Sequence, residues 1–312
     1  MLSDSQQRAK SSQSAKTPHI CVCVCTYKRP QLLQRLLEKV EQQVTSDAFT
    51  LSVVVADNDA KRSAEALVAT FAQRSRVQVV YCCEPTQNIA LVRNKAIEHS
   101  RGDFIAFIDD DEFPVESWLA EMLKACERHS ASGVLGPVRP HFDEAPPHWL
   151  IKGRFCERPE HPTGTIMDWT KCRTGNVLFR RAILTDSEEV FRSEFGTGGE
   201  DQDFFRRMSQ RGCVFVWCNE APVYETVLPN RWTRSYMFKR ALLRGRNGLK
   251  HPSGRAKLVA QSLVAVPIYS LILPITLLLG QHVFVKYCVK FCDHFGRLLT
   301  LVHLNPVDER QM

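Results

Sequence analysis

The sequence predicts an α/β protein with a mostly parallel central sheet, followed by a C-terminal helical segment that associates with a membrane. Two observations lead to this prediction. Strand-like and helix-like segments alternate from residue 19 to residue 108, as in βαβ units that cover both faces of a parallel sheet. Residues 258–285 then contain no Asp, Glu, Lys or Arg, and this run of 28 residues exceeds the ~20 that cross a bilayer.

Length and charge fit one large domain or two small ones with one unusual segment. The chain has 312 residues, of which 44% are hydrophobic. Residues 231–257 hold nine Lys or Arg and no Asp or Glu, so the net charge of +7 arises there, and the rest of the chain has 32 basic against 34 acidic residues. Such a segment favours a polyanion, an anionic membrane surface or a diphosphate.

The twelve cysteines are interpreted as reduced. The first 18 residues are polar and lack the apolar segment of a secretory signal, which predicts a domain that faces the cytosol. Cys21, Cys23 and Cys25 alternate with valines, so they share one face of a strand as small core residues. Because the sequence has no pair of C-x-x-C elements at zinc-like spacing, we expect no structural zinc.

The elements of the sheet follow in order along the chain. Residues 1–17 are predicted to be a disordered tail. Apolar, β-branched runs predict four strands, at residues 19–25, 49–56, 77–82 and 104–108. Pro30 starts the first of three intervening helices, predicted at residues 31–44, 63–73 and 88–99. Further strands are expected at residues 132–140 and 174–179, and a helix begins at Glu200.

Polar residues follow each predicted strand and therefore meet at one edge of the sheet. In open α/β sheets ligands bind beyond the carboxyl ends of the strands. The chain has neither a Gly-x-Gly-x-x-Gly after the first strand nor a Walker lysine loop, which argues against a dinucleotide or P-loop site. The residues that meet at this edge are Thr26, Tyr27, Arg29, Asp57, Asn88, Arg93 and Asp109 to Asp111.

Three consecutive aspartates, Asp109, Asp110 and Asp111, end the fourth strand. Adjacent carboxylates repel one another, so a fold that gathers them favours a compensating cation. Carboxylate oxygens suit Mg²⁺ or Mn²⁺, which share their coordination shell with phosphates. The alternative is a solvated acidic turn before a helix whose first turn spans residues 114–116.

Four stretches carry a resemblance to a known family: VCVCTYKRP, VVVADND, NIALVRNKAIEHSRGDFIAFIDDDEFP and FGTGGEDQDFFRRM. They resemble family 2 glycosyltransferases, which have the Rossmann-like GT-A fold, and in particular bacterial sugar transferases of exopolysaccharide and lipopolysaccharide synthesis. The resemblance extends over residues 18–248. It implies an enzyme that uses a nucleotide diphosphate sugar, here a UDP-sugar, as donor.

The resemblance also implies roles for residues of the nucleotide site. Thr26 and Tyr27 would line the base and ribose with Arg29 nearby, and Asp57 would accept a hydrogen bond from the uracil N–H. Asn88 and Arg93 would close over the nucleotide. Two alternatives stay open: Asp57 as a turn or helix cap, and Arg93 as a surface ion-pair partner of Glu98 or Asp103.

The same resemblance implies the diphosphate and sugar contacts. Asp109 would contact the ribose or the metal and Asp111 would bind the metal, while Asp110 could take either role. Asn176 would bond the sugar hydroxyls beside Gly175, and Arg231 would contact a phosphate. The metal-binding histidine of many relatives has no clear counterpart, since Tyr224 or Glu225 lies at that place.

Glu200 and Asp201 are the predicted catalytic acids. A carboxylate at this junction between loop and helix can take the proton of an acceptor hydroxyl, and the resemblance assigns that role to Asp201. Direct attack opposite the leaving diphosphate would invert the anomeric centre. The alternative is that both acids only complement the dipole of the helix that they begin.

The predicted organisation is a catalytic domain at residues 18–229, a basic amphipathic interface helix within 230–257, a membrane-inserted hairpin or single span at 258–285, and an amphipathic surface helix with a tail at 286–312. Lysines flank the apolar run at both ends, so the positive-inside rule does not choose between hairpin and span.

The sequence therefore predicts an inverting transferase at the cytoplasmic face of the inner membrane. It would move a hexose to a lipid-linked or cell-envelope glycan, in contact with membrane lipid and without nucleic acid. Two alternatives remain. A sugar-phosphate nucleotidyltransferase has a similar sheet but needs a Gly-rich, Arg-containing loop that is absent here, and a non-catalytic membrane-surface adaptor would bind polyanions through residues 231–257.

Overall fold

A computed structural model describes residues 17–184, 189–196, 198–249, 254–302 and 304. Nearly all of the predicted tail at residues 1–17 and the end of the chain from residue 305 lie outside these ranges. The strands are β1 (His19–Thr26), β2 (Thr50–Asp57), β3 (Gln78–Cys83), β4 (Phe104–Asp109), β5 (Glu112–Pro114), β6 (Gly133–Leu135), β7 (Val138–His141), β8 (Asn176–Arg180), β9 (Phe215–Trp217) and β10 (Val223–Thr226).

Nine α-helices lie in the described ranges. They are α1 (Pro30–Glu41), α2 (Glu65–Arg74), α3 (Ile89–His99), α4 (Trp118–Arg128), α5 (His148–Lys152), α6 (Glu200–Gln210), α7 (Arg234–Asn247), α8 (Arg255–Leu278) and α9 (Gln281–Leu301). Short 3₁₀ turns join several of these elements.

The central sheet has seven strands in the order β3-β2-β1-β4-β8-β6-β9, and its first four strands are parallel. Strand β8 is antiparallel to both β4 and β6, while β9 is parallel to β6. Thr26 lies opposite Asp57 and Cys25 opposite Asp109, so β1, β2 and β4 end together. The prediction of a mostly parallel sheet with its polar residues at one edge is confirmed.

Apolar residues on both faces of the sheet explain why these segments fold as they do. In β1 the valines belong to one core cluster, with the leucines of α1, and Cys21 and Cys23 belong to the other, with Ala90 of α3. A strand buried on both faces reads as a continuous apolar run because neither face contacts water. The interpretation of these cysteines as core residues is confirmed, and all twelve cysteines are free.

Two predicted elements are corrected by the structure. Residues 114–116 do not begin a helix, because Glu112–Pro114 forms β5, which pairs with β10 in a second sheet of order β5-β10-β7, and α4 begins only at Trp118. The strand expected at residues 132–140 is divided at Gly136 and Pro137 into β6 and β7, which belong to different sheets. Gly136 allows this turn to pack closely, since a Cβ there would lie 2.5 Å from the carbonyl oxygen of Ala221.

The C-terminal region is a group of three helices. The apolar run is divided at Gly280, whose positive φ of 106° ends α8, so residues 281–285 already belong to α9. Helix α9 packs against both α7 and α8. Within the described ranges α8 is the one helix long and apolar enough to cross a membrane, a property that core helices of soluble proteins can share, although here only 6% of its most apolar window is buried.

Candidate active site

A cavity of about 350 Å³ lies at the carboxyl edge of the parallel strands. Eight residues predicted from the sequence line it: Thr26, Tyr27, Arg29, Arg93, Asp109, Asp110, Asp111 and Arg231. They come from the loops after β1 and β4, from α3 and from the segment before α7. The sheet register brings the first of these loops together, and the chain returns to the same edge 120 residues after Asp111 at Arg231.

Asp110 is buried, and its side chain connects the loop after β4 to the loop after β1. Its carboxylate accepts a hydrogen bond from the Thr26 hydroxyl at 2.8 Å and one from the Arg29 guanidinium at 3.0 Å. Burial raises the pKa of Asp110 to about 6, against the opposing effect of Arg29. These contacts join the loops after β1 and β4 into one wall of the cavity.

Asp111 lies between two guanidinium groups. Its Oδ2 is 3.2 Å from Nη1 of Arg29 and 3.0 Å from Nη2 of Arg231. Arg231 also pairs with Glu225 at 3.0 Å, and Glu225 pairs with Arg158. Alternating charges therefore connect the acidic turn to β10 and to the loop that carries Arg158.

Asp109 faces the cavity with about half of its side chain exposed. Its backbone N–H donates to Oε2 of Glu112 at 3.2 Å. Glu112 is buried, and burial, followed by the nearby charge of Asp109, raises the pKa of Glu112 well above its usual range. The other oxygen of Glu112, Oε1, has no hydrogen-bond partner. Gly175 allows this close approach, since a Cβ there would lie 3.0 Å from that oxygen.

Arg93 connects the acidic turn to the start of α6. Its Nη1 donates to Oε1 of Glu200, and its Nη2 lies 3.8 Å from Oδ1 of Asp109. Arg93 is buried, so the alternative of a surface pair with Glu98 or Asp103 is wrong. Arg93 therefore joins two carboxylates that are 91 residues apart in the chain, Asp109 and Glu200.

Asp201 lies beside Glu200 at the first turn of α6. The chain reaches this point through Gly198 and Gly199, both at positive φ, a conformation that glycine adopts without strain. Oδ2 of Asp201 is 3.8 Å from Nε of Arg173. Arg173 lines a second cavity of about 460 Å³, whose walls include Trp217, Met167 and Lys171 and which shares Arg158 with the first. Asp201 is thus linked through Arg173 to the second cavity.

Comparison with known proteins identifies the family. The profile described as Glycosyl transferase family 2 matches residues 21–186, more than half of the chain. The chain belongs to this family. The succinoglycan biosynthesis protein ExoM of Rhizobium meliloti (strain 1021) is 38% identical over 240 residues, which cover 76% of this chain and 75% of that protein. The chondroitin synthase of Escherichia coli is 24% identical over 68% of this chain and 35% of its own length.

Solved structures agree on the fold of this family 2 glycosyltransferase. S. aureus TarS 1-349, in complex with UDP-GlcNAc, superposes with a TM-score of 0.53 and 14% identity over 93% of both chains. The same TarS fragment in complex with UDP gives a TM-score of 0.53 and 17% identity, again over 93% of both chains. The prediction of a glycosyltransferase is confirmed, and the nucleotidyltransferase and the non-catalytic adaptor are set aside.

In the structure, three residues predicted to contact the donor make their hydrogen bonds within the protein. Asp57 is fully buried. Its carboxylate accepts hydrogen bonds from the backbone N–H groups of Asp59 and Ala64 and from the Tyr81 hydroxyl, so its contacts stabilise the loop after β2. Asn88 caps α3 by accepting from two backbone N–H groups, and its amide donates to the carbonyl of Ser193. Both side chains therefore support the local structure of the loops after β2 and β3.

Asn176 is the third of these residues. It is buried, its amide donates to the carbonyls of Pro137 and Ala221, and its Oδ1 accepts from the Trp118 indole at 2.8 Å. Both N–H groups are therefore used within the protein, and Asn176 holds β8 to α4 instead of bonding a sugar. Glu200 is likewise buried and paired with Arg93, so of the two predicted catalytic acids only Asp201 retains partial exposure.

The donor set at this edge suits a cation that takes most of its ligands from elsewhere. Across the described ranges no three His, Cys, Asp or Glu side chains form a group that could hold a metal ion. Asp109 and Asp111 both line the cavity. Mg²⁺ typically uses one or two protein carboxylates and completes its shell with water and phosphates. The two residues therefore fit such an ion when a diphosphate is also present.

Arg158 and Glu112 are site residues that sequence reasoning missed. Arg158 lies in a segment rich in proline and histidine without helical or strand periodicity, so no pattern places it at the cavity. Glu112 directly follows three aspartates, and the sequence alone does not separate an exposed carboxylate from a buried one. Glu225 replaces the expected histidine but contacts two arginines, Arg231 and Arg158.

Proposed function

We propose that this glycosyltransferase moves a hexose from a UDP-sugar to a hydroxyl of a lipid-linked or cell-envelope glycan, with inversion at the anomeric carbon. One observation carries the proposal: Arg93 contacts both Asp109 and Glu200, so one guanidinium joins the acidic turn after β4 to the start of α6. The name of the ExoM relative supports a role in polysaccharide biosynthesis, and the UDP-GlcNAc of the TarS complex supports a UDP-sugar donor.

The nucleotide is proposed to bind beside β1. Tyr27 is partly exposed and lines the cavity, where its ring can pack against the base, and the Thr26 hydroxyl is held by Asp110. The diphosphate would then extend towards Asp111. Arg29 and Arg231 already flank Asp111, and a guanidinium binds phosphate oxygens in a planar, bidentate manner.

Asp109 and Asp111 would hold Mg²⁺ or Mn²⁺ next to that diphosphate. When bound, the ion would act as a Lewis acid that stabilises negative charge on the departing nucleotide diphosphate. The protein's own part is to keep the two carboxylates in place. Glu112 holds the backbone of Asp109, and the arginine pair holds the side chain of Asp111.

The transfer step is proposed to use Asp201 as general base. The acceptor oxygen forms a bond to the anomeric carbon, the bond from that carbon to the diphosphate oxygen breaks, and the proton of the hydroxyl passes to the Asp201 carboxylate. Glu200 acts as a positioning residue through Arg93. Because attack comes from the side opposite the leaving group, an α-linked donor gives a β-linked product.

The organisation of the chain is proposed as predicted. Residues 18–229 form the catalytic domain, 230–257 include the basic interface helix, 258–285 enter the membrane as a hairpin or a single span, and 286–312 form the surface helix and tail. The exposed apolar surface of α8 supports membrane contact at the cytoplasmic face of the inner membrane.

Hydrolysis of UDP-sugars by the full chain, with Mg²⁺ or Mn²⁺ and without acceptor, tests the proposal. Wild type should release UDP at a rate that falls at least about 100-fold in Asp201→Asn, within the range of a general-base contribution. Asp203→Asn is not a suitable control, because Asp203 pairs with Arg207. The control variant is Gln202→Glu, which lies on the same helical turn as Asp201. Equal rates in wild type and Asp201→Asn would contradict the proposal.

A further inference from the structure

A third cavity, of about 220 Å³, lies between the donor cavity and the C-terminal helices. It is enclosed by the segment at residues 155–158, by α7 and by Val289 of α9. The two cavities meet along a shared wall of Arg158, Glu225, Arg231, Tyr236 and Arg240. A ligand in the third cavity would therefore lie next to the donor cavity, across these five side chains.

The charge of this cavity favours an anion. Four arginines line it against two acids, Glu157 and Glu225. Three of these arginines are held by carboxylates within the protein: Arg158 and Arg231 by Glu225, and Arg244 by Asp293. Arg240 has no hydrogen-bond acceptor or ion-pair partner among the residues that the structure describes, so its guanidinium is available to a ligand.

Part of the wall of this cavity is apolar. It contains Phe155, Val227, Met237 and Val289. Burial raises the pKa of the Cys156 thiol in the same wall to about 11, so that side chain stays uncharged at neutral pH. A cavity lined by both guanidinium groups and apolar side chains suits an anionic group that is attached to an alkyl chain.

Two of the apolar lining residues belong to helices proposed to contact the membrane, Met237 to α7 and Val289 to α9. Helices α7 and α9 touch at two glycines: a Cβ on Gly245 would lie 2.1 Å from the carbonyl oxygen of Asp293, and one on Gly296 would lie 2.3 Å from that of Leu242. The ion pair between Arg244 and Asp293 joins the two helices at the same place. Helix α8 packs on α9 and exposes large side chains such as Leu271 and Leu278.

We propose that the third cavity holds the phosphate headgroup of the lipid that carries the acceptor glycan, with Arg240 as the main phosphate contact. The inference rests on the proposed function and specifies its acceptor. The alkyl chain would pack on the apolar side chains of the cavity, including Met237 and Val289, and the glycan would point past the shared side chains towards the donor cavity. A guanidinium is well suited to a phosphate because it offers paired N–H donors in one plane.

Binding of dodecyl phosphate in neutral detergent micelles to the full chain, followed by ³¹P NMR titration, tests this inference. We expect Arg240→Gln to weaken binding at least about tenfold. Lys239→Gln is the matched control, since Lys239 is the exposed neighbour on α7 and does not line the cavity; it should change affinity less than about twofold. Arg240→Lys should recover part of the loss.

Three results would overturn the inference. Equal losses in Arg240→Gln and Lys239→Gln would indicate general surface charge. Inorganic phosphate that binds as tightly as dodecyl phosphate would indicate a free-phosphate site, and a greater loss of affinity for UDP than for dodecyl phosphate would assign Arg240 to the donor. UDP-sugar hydrolysis that depends on Asp201 reports the proposed function separately, so failure of the one is distinguishable from failure of the other.

Discussion

Asp110 differs from its two neighbours because its side chain turns inward. It holds Thr26 and Arg29, whereas Asp109 is half exposed and Asp111 faces two arginines. Its carboxylate must be ionised to keep the charged contact with Arg29. Since burial raises the pKa of Asp110 to about 6, this requirement is met at neutral pH but fails in mildly acidic solution.

We therefore expect kcat/KM to fall as the pH drops below about 6, and Asp110→Asn to lack this acid limb while having lower activity throughout. Protonation of Asp110 has the opposite effect on the stability of the fold. A raised carboxyl pKa means that the folded protein binds the proton more tightly than the unfolded chain, so protonation of Asp110 favours folding as the pH falls. Rates and thermal unfolding measured between pH 5 and 8 check both signs. A loss of activity with the same midpoint as a loss of Tm would contradict this explanation.

Asn176 illustrates a residue whose role changes once its contacts are known. Its side chain makes three buried hydrogen bonds, which connect β8 to Trp118, Pro137 and Ala221. Asn176→Ala should lower the free energy of unfolding by about 2–4 kcal/mol, since buried partners are left unsatisfied. Urea unfolding measures this change. The affinity for a UDP-hexose per folded molecule should stay within about twofold of wild type, and a large loss of that affinity without loss of stability would restore the sugar-contact interpretation.

At the scale of elements, the strands that form the site were predictable, whereas the sequence left open whether Asp57 is a cap or a ligand contact. Apolar runs located the first four strands to within a residue or two, because a strand buried on both faces needs such a run. Asp57 and Asn88 are equally polar in sequence whether they face a ligand or a backbone. Only the tertiary structure shows that Asp57 accepts from Ala64 and Asn88 from Leu91.

The apolar surface of α8 leads to a prediction for this element. Leu271 and Leu278 are 76% and 87% exposed, so changing both to Glu should leave the fold and Tm nearly unchanged. The double variant should lose most of its co-sedimentation with membranes, because the transfer of a charged side chain from water into lipid is strongly unfavourable. Ile166→Glu, at a position 72% exposed in the catalytic domain, is the control. Equal sedimentation of wild type and the double variant would contradict membrane contact through α8.

At the scale of the whole molecule, the chain returns to one edge of the sheet from three distant segments. Sequence reasoning could gather the residues after β1 and β4 because parallel strands end together. The predictions for Asp201 and Arg231 came from family resemblance, since no local pattern fixes where they lie. Neither strand pattern nor family resemblance identified Arg158. Its segment has no periodicity, and its contact with Glu225 brings it to the cavity.

The central claim is that the acidic turn after β4 and Asp201 act on opposite sides of one anomeric carbon. The most direct test is the anomeric form of the sugar released from an α-linked UDP-hexose, observed by ¹H NMR before mutarotation, with water in place of the acceptor. We predict that the β-anomer is released first. Initial release of the α-anomer would contradict direct attack assisted by Asp201.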